Sequence, residues 1–335
     1  MSNARIATTP SPSWLSRIQA PVEHLLDGVV DEMRRILLTD FEMHEEVNDY
    51  LLKMRGKLFR PTLLLLTNEV AGTPHRDALS LAAVVEMVHL ATLVHDDAVD
   101  HSVLRRGMPT VNHVWTHQVA IITGDYLYAR SVAELARVGR LEAIAALAEA
   151  SSEMSVGELR QLTSYDALDF TEEDYERLIS CKTASLMAAA CEIGALVGCE
   201  PHRATFRRFG HALGMAFQIA DDLLDYTGSE EVTGKPTGHD LRERKVTLPL
   251  LEALQRVGKP ESDRIREFFT LTDPSDSEIQ EIVKIVADYG GLEYARGRAR
   301  DFVEVAAGAL SEVDEAGEAM DALHAAIGYT IERTR

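Results

Sequence analysis

Apolar positions along this chain recur at intervals of three and four residues, the periodicity of amphipathic α-helices, and strand-like alternation is scarce. The helical pattern is interrupted where glycine or proline occurs among polar residues, at 72–74, 107–109, 200–201 and 273–274. We therefore expect an all-α fold with roughly ten to thirteen helices in a single large bundle domain spanning residues 1–335. The first ten or so residues are expected to be disordered.

Three stretches, 81–94, 184–197 and 212–220, are apolar around most of a helical circumference. Helices of this kind are buried. The stretch 184–197 could be buried within the domain or form a subunit interface. Thr171 and Ser275, each followed by an acidic run, indicate the starts of further helices.

Two aspartate clusters of one form follow two of these apolar stretches: Asp96, Asp97 and Asp100, then Asp221, Asp222 and Asp225. On a helix, the first and last members of each cluster lie about 40° and about 6 Å apart. One such cluster alone could be a solvated helix face. Two at the ends of buried helices need cations, because carboxylates repel each other. Oxygen ligands favour Mg²⁺, which often shares its shell with phosphates.

Basic groups stand out because the chain has 34 Lys and Arg against 54 Asp and Glu, a formal net charge of −20. This balance argues against nucleic acid as a partner. Spacing places His89 near the helix face of Asp96, and Gln218 one turn before Asp222. Lys57 and Arg60 are expected on one face of a helix, and Lys182 lies inside an apolar helix, where a charge needs a partner. The candidate phosphate ligands are Lys57, Arg60, Arg105, Arg106, Lys182, Lys235 and Lys245.

The motifs together resemble the trans-isoprenyl diphosphate synthases, also called polyprenyl synthetases. The matching stretches follow the family's order over residues 50–250 or so: GKLFRP (56–61), EMVHLATLVHDDAVDHSVLRRGMPT (86–110), GDYLY (124–128), GELRQ (157–161), KTASL (182–186), FQIADDLLDYTG (217–228) and GKPTGHDLRERKVTLPL (234–250). The resemblance implies an isoprenoid-synthase bundle around a central cavity, a homodimer, and three Mg²⁺ ions per active site. It implies isopentenyl diphosphate and an allylic diphosphate (dimethylallyl, geranyl or farnesyl) as substrates.

The resemblance also implies a role for each matching position. The six aspartates would bind metal, with direct ligation by Asp96, Asp100 and Asp221. The remaining roles are grouped by substrate: Arg105, Lys182 and Lys235 would hold the allylic diphosphate, with Thr183, Gln218 and Lys245 nearby, and Lys57, Arg60, His89 and Arg106 would hold isopentenyl diphosphate. One departure is Arg244, where the family often has glycine, which puts the local turn in question.

The implied reaction ionises the allylic diphosphate, adds the double bond of isopentenyl diphosphate to the resulting carbocation-like species, and releases a proton. A class I terpene cyclase is an alternative, but it would not need a second diphosphate pocket. A non-catalytic helical subunit of a heteromeric synthase is another alternative. Such a subunit would not need to keep its aspartates, whereas both clusters are intact in this chain. A third is an acidic scaffold that binds divalent ions without chemistry.

Product length is expected to depend on the helix that carries Asp96. Thr92, Ala91 and Val88 precede it, and none is aromatic, so a growing chain could run along this helix past several turns of about 5.4 Å each. We therefore expect a product of C20 or longer, as in synthases of quinone side-chain precursors. Alternatively, these side chains are small because neighbouring helices pack closely against them, and another helix closes the far end of the product tunnel.

The three cysteines form no CxxC motif, and the N-terminus lacks an apolar signal region. Both observations favour a reduced, cytoplasmic protein. We expect the cysteines to be buried packing residues. No uncharged apolar run of 18 or more residues occurs, so no membrane span is expected.

Overall fold

Helices account for 81% of the computed structural model, which describes residues 13–54, 56–72, 74–163, 167–228 and 238–333. The all-α class is confirmed. The helices are α1 Trp14–Gln19, α2 Glu23–Ile36, α3 Glu42–Lys53, α4 Phe59–Glu69, α5 Ala78–Val99, α6 Val111–Val114, α7 His117–Val138, α8 Leu141–Thr163, α9 Glu172–Ile179, α10 Ser185–Gly198, α11 Arg203–Thr227, α12 His239–Arg242, α13 Leu248–Arg256, α14 Lys259–Phe268, α15 Asp276–Asp288, α16 Gly291–Ser311 and α17 Glu318–Arg333.

The described ranges hold fifteen helices of six residues or more, which exceeds the expected ten to thirteen. The difference lies in short helices whose ends carry weak sequence signals, such as α1. The two starts predicted from sequence are confirmed. Thr171 and Ser275 each accept a hydrogen bond from the backbone three residues on, and the acid at that position returns the bond.

A short antiparallel hairpin follows α5, with strands β1 Leu104–Arg105 and β2 Met108–Pro109. Its two-residue turn has positive φ at both Arg106 (+53°) and Gly107 (+76°). A turn of this kind fits the natural twist of a hairpin. It places Arg105 and Arg106 beside the end of α5, which helical periodicity could not predict.

The core is built on the apolar helices α4, α5, α10 and α11. Helix α10 packs against α4, α8 and α11, while α5 packs on α7 and α11 packs on α16. The apolar stretch of α10 is buried within the domain, and Cys191 and Cys199 are buried there as expected, with Cys181 half-buried.

Helices α4 and α10 approach so closely that glycine is required at Gly194. A Cβ added there would lie 2.1 Å from Thr67 Oγ1 and 2.2 Å from the Leu64 carbonyl oxygen. We expect Gly194→Ala to destabilise the fold by about 1–3 kcal/mol, because the backbone of α4 must shift. The matched control is Gly297→Ala on α16, where an added Cβ would meet nothing within 4 Å. That change should stabilise by up to about 1 kcal/mol. Chemical denaturation measures both, and equal effects would contradict this packing.

Two segments, Ala78–Val99 and Glu172–Gly198, are long and apolar enough to cross a membrane by composition alone. Their most apolar windows are 72% and 78% buried inside the protein. The apolar character of both is thus used in the core of the bundle.

Candidate active site

The two aspartate clusters, distant in sequence, meet at one cavity of about 600 Å³. Asp100 lies at its wall from the end of α5, and Asp222 from the last turns of α11. One member of each cluster thus lines the same cavity. The other polar residues around the cavity are Gln161, Tyr175, Lys182, Thr183, Gln218, Asp240, Glu243, Arg244, Lys245 and Thr247.

In the first cluster, Asp97 differs from its neighbours. It is buried, and both of its carboxylate oxygens accept hydrogen bonds from Arg105 Nε at 2.8 Å. Arg105 Nη2 also lies 2.7 Å from Asp97 Oδ1. Asp97 therefore holds the β1 arginine beside the cavity.

The second cluster is also divided. Asp222 is buried and accepts hydrogen bonds from the Tyr175 hydroxyl at 2.6 Å and from Gln218 Nε2 at 2.8 Å. Asp225 accepts the backbone N–H groups of His239 and Asp240 at 3.1 and 3.0 Å. Asp225 thus fixes the start of α12 against the end of α11, whereas Asp221 is exposed.

Several carboxylates around the cavity repel one another. Burial raises the pKa of Asp96 to about 6, and the nearby charges of Glu158 and Asp100 add to the effect. Burial and the charge of Asp225 likewise raise the pKa of Asp240 to about 6. Crowded carboxylate oxygens of this kind fit hard divalent cations, which would relieve the repulsion. Within the described ranges, no three His, Cys, Asp or Glu side chains form a metal cluster by themselves.

Lys182 and Thr183 lie in a π-helical turn, Ser180–Ala184, that joins α9 to α10. Such wider turns often occur at functional sites. Lys182 Nζ donates to Gln161 Oε1 at 3.0 Å and forms an ion pair with Glu158, both on α8. Thr183 donates its hydroxyl to Gln218 Oε1 at 2.7 Å, so the turn is linked to α11.

Lys245 reaches the cavity from the loop after α12 and donates to Glu243 Oε2 at 2.6 Å. The preceding Arg244 has φ of +57°. At this position, where the family often has glycine, the backbone is therefore left-handed in this chain too. For a residue with a Cβ, this conformation costs roughly 1–2 kcal/mol. The Arg244 guanidinium donates to the Leu271 carbonyl.

A second group of basic residues, Arg60, His89 and Arg106, lies near Arg105. Arg60 and His89 are half-buried, and desolvation lowers the pKa of each. The charges of Arg60 and Arg106 lower the His89 pKa further, so this imidazole is neutral at pH 7. The buried Arg60 Nε has no hydrogen-bond partner among the described residues. Buried Glu86 lies near both arginines and offsets their charge.

The predicted helical pairing of Lys57 with Arg60 was wrong. Helix α4 begins at Phe59, because Leu58 takes a left-handed conformation with φ of +48°. Lys57 therefore precedes the helix and is exposed, with Nζ 3.5 Å from the Tyr329 hydroxyl of α17. Lys235, another predicted phosphate ligand, lies outside the described residues.

The residues expected to set product length lie on α5. Val88 and Ala91 are buried in the core, and Thr92 donates its hydroxyl to the His89 carbonyl at 2.8 Å. Their position on the helix that leads to Asp96 follows the expectation, and their role stays a prediction.

Six polar residues around the site were not singled out from sequence. Glu158 and Gln161 lie within the quoted stretch 157–161, and Asp240 and Glu243 within 234–250, so the family pattern carried a signal for them. Glu86 begins the quoted stretch 86–110, so the family pattern carried a signal for it too. Tyr175 had no signal beyond being a polar residue in apolar surroundings. These residues are Glu86, Glu158, Gln161, Tyr175, Asp240 and Glu243.

Comparison with known proteins identifies the family of this chain. Residues 41–286 match the polyprenyl synthetase family. The chain is 35% identical over 313 residues to a short chain isoprenyl diphosphate synthase of Methanothermobacter thermautotrophicus, covering 91% of this chain and 95% of the relative.

Two solved structures are similar throughout. A decaprenyl diphosphate synthase from Rhodobacter capsulatus has a TM-score of 0.89 and 34% identity, with 96% of this chain and 99% of that chain covered. A polyprenyl synthase from Caulobacter crescentus, complexed with calcium and isoprenyl diphosphate, has a TM-score of 0.88 and 32% identity over 98% and 99%. The family model covers most of this chain, and both aspartate clusters lie at one cavity. The chain therefore belongs to the polyprenyl synthetase family of prenyltransferases.

Proposed function

We propose that this enzyme condenses isopentenyl diphosphate head to tail with an allylic diphosphate and releases diphosphate. The observation that carries the proposal is the arrangement of two basic groups around the end of α5. Lys182 and Lys245 line the cavity between the aspartate clusters, and Arg60, His89 and Arg106 form a separate group. Two diphosphate sites fit a synthase with two substrates better than a terpene cyclase, which ionises one.

The carboxylates at the cavity fit Mg²⁺, and we assign direct ligation to Asp96, Asp100 and Asp221. Asp97 and Asp222 would support the site indirectly, because each carboxylate already accepts two hydrogen bonds or more. The family implies three ions per site. Bound Mg²⁺ supplies Lewis-acid stabilisation to the leaving diphosphate.

The side chains of the protein contribute charge and position. Arg105, Lys182, Lys235 and Lys245 would offset the negative charge that grows on the departing diphosphate. Arg60 and Arg106 would bind the diphosphate of isopentenyl diphosphate, with neutral His89 as a hydrogen-bond donor and Lys57 at the outer edge. With both substrates bound, the cavity would have to exclude water, which would otherwise quench the allylic cation. The departing diphosphate itself would accept the proton.

We propose a product of C20 or longer. Small side chains at Ala91 and Thr92 leave the route along α5 without an aromatic plug. The relatives named above include both a short chain synthase and a decaprenyl synthase, so kinship alone leaves the product length open. The dimethylallyl, geranyl and farnesyl diphosphates are the candidate primers, and the cytoplasm is the proposed location.

A homodimer is proposed from the family and from exposed apolar side chains on two neighbouring helices. Ile121, Tyr128 and Val132 form a stripe on α7, and Leu159 and Leu162 are exposed on α8. Exposed apolar patches of this kind mark interaction surfaces. Sedimentation equilibrium of the purified protein distinguishes a dimer from a monomer.

The direct test of function is incubation with Mg²⁺, labelled isopentenyl diphosphate and each of the three primers. Extended prenyl diphosphates are the expected products, and their chromatography gives the chain length. A cyclic hydrocarbon made from a primer alone would identify a cyclase instead. No conversion with any primer would contradict the proposed reaction.

A further inference from the structure

Three cations expected at the allylic diphosphate each pair with a carboxylate of this chain. Arg105 pairs with Asp97, Lys182 with Glu158, and Lys245 with Glu243. Asp97 belongs to the predicted metal-binding set, whereas Glu158 and Glu243 do not. A diphosphate that binds these cations must therefore compete with carboxylates already in place.

Glu158 is the partner with the strongest structural basis. Helix α8 comes so close to the π-helical turn at Gly157 that an added Cβ would lie 2.8 Å from Cys181 Cβ and 3.3 Å from Lys182 Cγ. This contact brings Glu158 and Gln161, three residues apart on α8, onto the same ammonium group. The Glu158 and Lys182 side chains are only 19% and 27% exposed, so solvent screens their attraction less than at the surface.

Glu158 also lies within electrostatic range of the first aspartate cluster. Glu158 and Lys182 both lie close enough to Asp96 and Asp100 for their charges to act on these aspartates. Lys182 is thus shared between Glu158 and the two aspartates, and its full charge is not available to an incoming anion.

We propose that Glu158 is a positioning residue that orients Lys182 before substrate binds and makes binding of the allylic diphosphate depend on divalent metal. The inference rests on the proposed function of the same cavity. Without metal, a diphosphate would have to draw Lys182 away from Glu158. The carboxylates of Glu158, Asp96 and Asp100 would then lie beside the negative charge of the diphosphate. With metal bound at the aspartates, that repulsion is offset and the exchange becomes favourable.

The test is binding of farnesyl thiodiphosphate, an unreactive allylic analogue, measured by calorimetry with Mg²⁺ and separately with EDTA. Glu158→Gln keeps the shape and an acceptor oxygen for Lys182 but removes the charge. We expect it to tighten binding in EDTA by about tenfold and to change binding with Mg²⁺ by less than about threefold. The enhancement of analogue binding by metal would therefore fall by roughly tenfold, and the enhancement of metal binding by analogue should fall equally, since coupling is reciprocal.

Two comparisons separate a local effect from a general change in charge. Glu142→Gln removes a charge from the exposed first turn of the same helix and should leave both affinities unchanged. In a Lys182→Gln background, Glu158→Gln should tighten binding in EDTA by less than it does in the wild type, because only the direct repulsion between Glu158 and the diphosphate is left to remove.

The inference is overturned if Glu158→Gln leaves metal-free binding unchanged, or if it tightens binding equally without Lys182. Circular dichroism confirms folding, and Glu158→Ala is the second variant, with the same expected direction. The condensation assay on the unmodified enzyme stands apart from these titrations. A wild-type protein that binds the analogue but extends no primer would defeat the proposed function, while the metal dependence would still report on Glu158.

Discussion

Asp96→Ala and Asp221→Ala are each expected to lower turnover on the order of a thousandfold, comparable to the loss of a central electrostatic group in other enzymes. Asp96 lies on the last turn of α5 among other carboxylates, and burial raises its pKa, with smaller contributions from the charges of Glu158 and Asp100. Asp221 lies on α11 beside buried Asp222, whose pKa it helps to raise. Removing either carboxylate should weaken the metal binding on which departure of the diphosphate depends.

Steady-state incorporation of labelled isopentenyl diphosphate into prenyl products measures this effect. Asp263→Ala, at an exposed position of α14, is the matched control and should retain wild-type turnover. Titration with Mg²⁺ distinguishes weakened metal binding, which excess metal partly restores, from loss of the fold. Near-normal activity in both active-site variants would refute the assignment of the aspartates.

Ala91→Phe is expected to shorten the main product by several isoprene units. Ala91 is buried on α5, five residues before Asp96, and a ring at this position would occupy the path proposed for the growing chain. One isoprene unit is about as long as a helical turn of roughly 5.4 Å, so a plug this close to the metal-binding end permits few additions.

Product length is read by chromatography of the dephosphorylated prenyl alcohols. Ala91→Ser, which changes the volume little, is the control and should preserve the wild-type distribution. A larger residue in a packed core commonly lowers the free energy of unfolding by about 1–3 kcal/mol. The thermal stability of each variant should therefore be measured alongside the assay. An unchanged product from a folded, active Ala91→Phe enzyme would place the chain along another helix.

Local signals in the sequence located the elements of the site well. The apolar stretches before Asp96 and Asp221 predicted buried helices, and α5 and α11 confirm them. The spacing of the six aspartates did not reveal, however, which of them pair with other side chains of the protein. Asp97 is paired with Arg105 of the hairpin, and Asp222 with Gln218 and Tyr175. Gln218 lies one turn before Asp222 on α11, whereas Tyr175 comes from α9 and depends on how the helices pack.

The errors have related causes. A left-handed residue at Leu58 starts α4 later than its leucine run suggests, so Lys57 falls outside the helix. The Arg106–Gly107 turn gives a hairpin where the pattern indicated only a break. Backbone conformations of single residues override periodicity at element ends, where a few kcal/mol of tertiary contacts decide the geometry.

By itself, the sequence determined the helical class, the burial of the apolar helices and the chemistry of the site. Periodicity and residue type act locally, so they can be recognised in one dimension. Only the tertiary structure decided which charged side chains form ion pairs with each other. The pairing of Lys182 with Glu158 depends on the close approach of α8 to a π-helical turn at Gly157, and the separation of Asp96 from Asp97 depends on a hairpin eight residues downstream. Electrostatic interactions depend on distance in space, and that distance is set by packing between helices rather than by spacing along the chain.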